Sequence, residues 1–262
     1  MKSISTRSGV AAAILTAAFT MCMANGARAA VLAWALDYPG NLKTIDLVGP
    51  TVILDGPTGI GGATLQGLAA NTSNQLYAID TSGLLYGLSP TGVPSFIANT
   101  GIGATYGLDF YSPTTMIAAD DMPLKTIFQI TTTGVAAPLV TLVSPLSRVD
   151  SIATVNANTA YILTAGVSGT TDLSEVNLVT GTVLPILSLP EVCKGLDYAT
   201  DGNWYALGYV GKTFRVDPVL ATYQQVVYTG GEDWQALATP VPEPTSLATL
   251  AICSLILRRR RN

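Results

Sequence analysis

The chain has 262 residues, a formal net charge of -4, 11% charged residues and no histidine. Lacking histidine, it lacks the commonest general base and the commonest imidazole metal ligand. Seven of its thirteen Lys and Arg lie near the ends, as Lys2, Arg7, Arg28, Arg258, Arg259, Arg260 and Arg261, so the body between them is near -10 and has no electrostatic footprint for nucleic acid.

Residues 1–29 read as a secretory signal peptide. Lys2 and Arg7 supply the positive start, Val10 to Met23 the apolar core, and Ala27-Arg28-Ala29 an A-x-A cleavage site, so the mature chain is expected to begin at Ala30. Cys22 follows Met21, where a lipoprotein signal would have a small residue. With Cys253 in the tail, Cys193 is the only thiol of the body. No disulfide can form within the body, and a lone thiol without a histidine to activate it reads as a small buried apolar group.

A repeat then organises residues 30–239. Leu76 to Asp80, the turn Thr81-Ser82-Gly83 and the answering run Leu84 to Ser89 have the pattern of a β-hairpin. Equivalent pairs are Leu32 to Asp37 with Leu42 to Leu47, Thr115 to Asp120 with Thr126 to Thr131, Ala160 to Thr164 with Asp172 to Leu178, and Trp204 to Leu207 with Thr213 to Asp217. A β-branched run follows each pair: Thr51 to Leu54, Pro94 to Ala98, Ala137 to Leu142, Val183 to Leu187 and Tyr223 to Tyr228. A short strand precedes four of them: Gly67-Leu68-Ala69, Gly107-Leu108-Asp109, Ser151-Ile152-Ala153 and Gly195-Leu196-Asp197.

The central residues of these short strands are 40, 44 and 44 positions apart, and four short strands per 40 to 45 residues is the period of a propeller blade. The hairpin at Leu32 lacks a leading strand, but Trp234 to Ala238 fits the pattern, with Leu237 standing 41 positions after Leu196. The prediction is an all-β, five-bladed β-propeller whose first blade is closed by a C-terminal strand, which hides sheet edges and locks the ring without a disulfide. An open β-solenoid is the alternative, though it leaves the split unit unexplained.

Residues 240–245 form a linker in which Pro240, Pro242 and Pro244 exclude a β-ladder. Residues 246–262 follow as a short apolar segment to Leu257 and an arginine-rich tail. Together Val241-Pro242-Glu243-Pro244-Thr245-Ser246, the apolar stretch and Arg258, Arg259, Arg260 and Arg261 closely resemble the PEP-CTERM sorting signal of bacteria that make exopolysaccharide. The resemblance implies recognition by an exosortase, a membrane cysteine transpeptidase, with cleavage near Pro242-Glu243-Pro244. The arginines would hold the tail at the cytoplasmic face, with the segment acting as a transient inner-membrane transmembrane helix. It is shorter than the ~20 residues that span a bilayer. The strands at Gly107 to Phe110 and Gly195 to Tyr198 also resemble those of uncharacterised secreted bacterial propeller domains, a likeness that implies the fold and no reaction.

Within the body, Gly59-Ile60-Gly61-Gly62 does not open a helix and is nearly repeated at Gly101, so it reads as an interblade turn rather than a phosphate loop. Asp109 and Asp197 occupy equivalent leading-strand positions, where Ala69, Ala153 and Ala238 stand in the other units. Such a pair is a candidate Ca²⁺ site or an acid/base pair, though such aspartates more often cap turns or bind backbone amides. Tyr77, Tyr86, Tyr161, Trp204 and Tyr205 could stack on sugars, but strand aromatics more often fill the space between blades. The expected protein is exported and exosortase-sorted to the surface or extracellular matrix. It serves there as a non-catalytic binding or structural module associated with exopolysaccharide or another surface protein. The alternative is a carboxylate- or calcium-dependent enzyme acting on a glycan or small metabolite.

Overall fold

The structure, a computed structural model, describes residues 29–60, 65–121, 125–144, 146–231 and 233–241. The expected signal peptide up to Arg28, the motif Pro242-Glu243-Pro244 and the segment 246–262 lie outside the described residues. Every described strand belongs to the unit that begins at Val31. No helix among the described residues is long and apolar enough to cross a membrane.

Twenty strands form five antiparallel sheets of four. The first sheet contains β1 (Leu32–Asp37), β2 (Asn41–Asp46) and β3 (Val52–Pro57). The second is β4 (Leu65–Ala70), β5 (Leu76–Asp80), β6 (Leu84–Leu88) and β7 (Pro94–Asn99). The third is β8 (Thr105–Ser112), β9 (Thr115–Asp120), β10 (Thr126–Thr131) and β11 (Ala136–Thr141). The fourth is β12 (Val149–Asn156), β13 (Thr159–Ala165), β14 (Thr171–Asn177) and β15 (Val183–Leu189). The fifth is β16 (Cys193–Tyr198), β17 (Trp204–Gly208), β18 (Lys212–Asp217) and β19 (Thr222–Tyr228). Finally β20 (Trp234–Ala238) returns to pair with β1, giving the first sheet the order β20-β1-β2-β3.

The leading strands touch one another in the cyclic order β4, β8, β12, β16, β20 and back to β4. The unit is therefore a five-bladed β-propeller with a split first blade, and the open solenoid is excluded. β3 runs three residues beyond the expected Leu54, because Asn41 and Leu42 still offer ladder partners to Pro57 and Gly56.

The burial pattern follows from the ring. All six residues of β4 are buried, because an inner strand meets neighbours on both faces. The outermost strand β7 has none buried. The apolar core is divided into five layers, one between each pair of adjacent blades. The layer between the fifth and first blades holds Trp234 and Tyr205, both 0% exposed, so the largest buried side chains sit at the closing seam.

Two local devices repeat. The third strand of each blade ends on, or one residue before, a side chain that accepts a nearby backbone N–H: Asp46 from Val48, Ser89 from Val93, Thr131 from Val135, Asn177 from Val179 and Asp217 from Val219. These Asx- and Ser/Thr-type turns start the chain toward the outer strand. The second device is a small residue on each inner strand where neighbouring backbones approach. At Gly107, with φ of +65°, an added Cβ would lie 2.7 Å from the Ile152 nitrogen. Where the fourth blade has Ser151 instead, its Oγ accepts the Leu196 N–H at 3.1 Å.

Candidate functional site

The inner strands carry two rows of polar side chains. The first holds Asp109 and Asp197, on β8 and β16. Asp109 Oδ1 accepts the Phe110 N–H at 2.7 Å and Oδ2 the Thr154 N–H at 2.5 Å. Asp197 Oδ1 accepts the Tyr198 N–H at 2.7 Å. Its Oδ2 takes the Thr239 N–H at 2.6 Å and the Thr239 hydroxyl at 3.0 Å. Each carboxylate thus ties its own strand to the next inner strand, β8 to β12 and β16 to the end of β20.

The two carboxyl groups are brought close enough to interact. Burial raises the pKa of both, the charge on Asp109 raises that of Asp197 further, and the donated hydrogen bonds oppose the rise. For Ca²⁺ the pair offers two carboxylates, and among the described residues no third His, Cys, Asp or Glu joins them. The other ligands of its six to eight oxygens would have to be carbonyls, hydroxyls or water. As an acid/base pair, both groups would have to act while retaining the backbone donors that join the blades.

The second row was not anticipated from the sequence. It places one side chain from each inner strand at the position two before the central Leu or Ile: Gln66, Tyr106, Asp150, Lys194 and Gln235. Arg148 donates from Nε to Asp150 Oδ1 at 2.7 Å, its Nη2 lies 2.7 Å from the same oxygen, and its guanidinium sits 5.7 Å from the centre of the Tyr106 ring. Lys194 Nζ and Gln66 Nε2 both donate to Gln235 Oε1, at 2.8 and 2.9 Å. Burial raises the pKa of Asp150, opposed by Arg148 and Lys194, and burial lowers that of Lys194. The row knits the blades together. Alignment of the repeats at the position before Gly67, Gly107, Ser151, Gly195 and Ala236 would have exposed it.

The other candidate residues are spread through the ring. Cys193 is buried, its Sγ held protonated by burial, and its backbone N–H donates to Thr171 Oγ1 at 2.8 Å. Gly59 and Gly101 both have positive φ and open surroundings, as interblade turns should. Tyr205 is core, and Tyr77 packs edge-on against Phe110 between the second and third blades. Trp204 does not follow the core expectation fully: it is only partly buried, in contact with Tyr161 and Tyr198, and lines a surface cleft.

No family model and no curated protein matches the chain. Solved structures do. A gluconolactonase from Xanthomonas campestris superposes with a TM-score of 0.50 at 13% identity, over 78% of each chain. TolB from Acinetobacter baumannii gives 0.49 at 12% identity, over 91% of this chain and 74% of the other. Virginiamycin B lyase from Staphylococcus aureus gives 0.43 at 13%, over 73% and 64%. At 13% identity the likeness to the gluconolactonase concerns the fold alone, the β-propeller.

Proposed function

We propose that the protein is an exported propeller, sorted through its C-terminal segment by an exosortase, that serves at the cell surface or in the extracellular matrix as a non-catalytic binding module associated with exopolysaccharide. The observation that carries this reading is the ordered trio of Pro242-Glu243-Pro244, apolar segment and arginine cluster, placed just after the strand that closes the ring. Thr239, the first residue beyond β20, is pinned by Asp197 and by the Tyr198 carbonyl. Cleavage three to five residues further on would leave every strand in place.

A second reading, a carboxylate- or calcium-dependent enzyme acting on a glycan or small metabolite, has one point in its favour. Asp109 and Asp197 interact, and both hold their protons more tightly than ordinary carboxyl groups. Their role as acceptors for the next blade's backbone favours the structural reading. Intact-mass measurement of the protein recovered from its native host tests the proposal. The expected mass lacks residues 1–29 and the segment after Pro242-Glu243-Pro244; a secreted form that retains Arg258 to Arg261 would exclude exosortase sorting.

A further inference from the structure

Where the fourth and fifth blades meet, the ends of β17, β18 and β19 border a cleft of about 650 Å3, within the roughly 300–1,000 Å3 of small-ligand sites. Three aromatic rings line it in contact: Tyr161 meets Trp204 edge-on at 5.0 Å, and Tyr198 meets Trp204 at 5.1 Å. Tyr223, edge-on to the Phe214 ring at 5.8 Å, also lines it. Tyr198 and Tyr223 are 50% and 44% exposed, too wet for interblade packing to explain. Planar polar residues complete the lining from the other face of the fifth blade, where register places Asn203, Arg215 and Gln224 beside Tyr205. Arg215 donates one N–H to Gln224 Oε1 at 2.7 Å, leaving the rest of its donor fan for other partners. Asn203 is oriented by Asp201, which accepts its Nδ2 at 2.8 Å and the Tyr205 hydroxyl at 2.8 Å.

We infer that this cleft holds a sugar ring, one or two pyranose units of a polysaccharide chain; the inference rests on the binding-module reading above and gives it a site. A pyranose has an apolar C–H face, whose hydrogens suit the electron-rich face of an aromatic ring, and an edge of hydroxyls that both donate and accept. The cleft offers the complementary pair: ring surfaces from Trp204, Tyr198 and Tyr223, and fixed amide and guanidinium groups from Asn203, Gln224 and Arg215. A purely apolar ligand would leave those polar groups unanswered. A phosphate or polyanion would meet a single Arg beside Asp217 in an acidic body.

The test is titration of the purified protein, followed by intrinsic fluorescence and calorimetry. Its ligands are exopolysaccharide recovered from the producing cells and a panel of soluble glucan, xylan, chitin and uronan oligomers. We expect saturable binding of at least one of these, weakened tenfold or more by Tyr198→Ala and by Arg215→Ala and retained by Tyr198→Phe, with melting temperatures close to the parent's. Equal binding by all variants would overturn the cleft while leaving the polysaccharide reading standing. No binding by any saccharide would overturn both. Binding of a peptide spanning 240–245, abolished by the same two substitutions and displacing the sugar or occurring without it, would reassign the cleft to the protein's own proline-rich linker.

Discussion

The second blade has a cleft in the same place as the fifth, and the two differ in kind. The cleft bordered by β5, β6 and β7, about 490 Å3, is lined by Gln75, Leu76, Gly87, Leu88 and Ser95. Strand register makes these the equivalents of Asn203, Trp204, Arg215, Val216 and Gln224. Tyr198 likewise corresponds to Ala70 and Tyr223 to Pro94. One backbone design therefore carries Leu76, Ala70, Gly87 and Pro94 in one blade where the other carries Trp204, Tyr198, Arg215 and Tyr223. Gln75 and Asn203 are alike planar amides, and Tyr77, which also lines the second cleft, matches Tyr205. The blade needs only the small and aliphatic set to fold, since Leu76 at 3% exposure and Ala70 at 5% serve as ordinary core. The extra rings and the guanidinium of the fifth blade are additions that packing does not require.

The blades are equivalent members of one closed ring, and removing the closure is the severest way to break that equivalence. Trp234 and Leu237 are buried at the seam with Tyr205 and Leu207. Their burial is worth on the order of 3–6 kcal/mol, comparable with the net stability of a domain. A chain of residues 30–240 is expected to melt cooperatively, and one of residues 30–232 to be aggregated or partly unfolded, with damage reaching β1 some 200 positions away. Equal melting temperatures by calorimetry would show that the seam does not hold the ring.

Single substitutions at equivalent positions sharpen the contrast. Leu76→Ala removes a core side chain and is expected to cost about 2–4 kcal/mol in denaturant unfolding. Tyr198→Ala removes a half-exposed ring and is expected to cost under about 1 kcal/mol. If the two costs proved similar, the aromatics of the fifth blade would be packing after all.

The ring was legible in the sequence because its cause is periodic. Alternating apolar residues recur every 40 to 44 positions, and the orphan hairpin at Leu32 pointed to its missing strand at Trp234. The cleft was less legible, because Trp204 and Tyr161 sit in strands where an aromatic usually packs between blades. Sequence pattern alone does not separate a ring buried in a layer, like Tyr205, from one standing at its edge. Tyr198 drew attention only as the end of a strand resembling Gly107 to Phe110, and of its equivalents Ala70, Phe110, Thr154 and Thr239 the one aromatic, Phe110, packs on Tyr77 between blades. Asp109 and Asp197 were rightly placed as equivalents, but their partners, the N–H groups of Thr154 and Thr239, belong to the next blade and become neighbours only once the ring closes. Glu243 and its flanking prolines Pro242 and Pro244 lie outside the described residues.

The last expected effect is one of pH dependence and concerns the residue beside Tyr198. Asp197 stands where the second blade has Ala69, and with Asp109 it brings to the centre of the ring a charge cost that the second blade avoids. Both groups have pKa values raised in the folded chain, above the ordinary 3.8. The sign follows from linkage: below the ordinary carboxyl pKa both folded and unfolded chains hold these protons, and full stability is present. As pH rises, the unfolded chain releases its protons first, so stability falls until the folded pair has also ionised, and then levels. Asp150, raised in the same direction by burial, adds to the trend, so the pair must be isolated by difference. The double variant Asp109→Ala, Asp197→Ala should melt lower at every pH, because backbone donors of Phe110, Thr154, Tyr198 and Thr239 lose their acceptors. Its deficit should be largest near pH 4 and smaller by a few degrees near pH 8, where the parent chain bears the cost of two interacting charges. A deficit that stayed constant from pH 4 to pH 8 would mean that the two carboxylates ionise as ordinary ones, held by their backbone donors against both burial and each other.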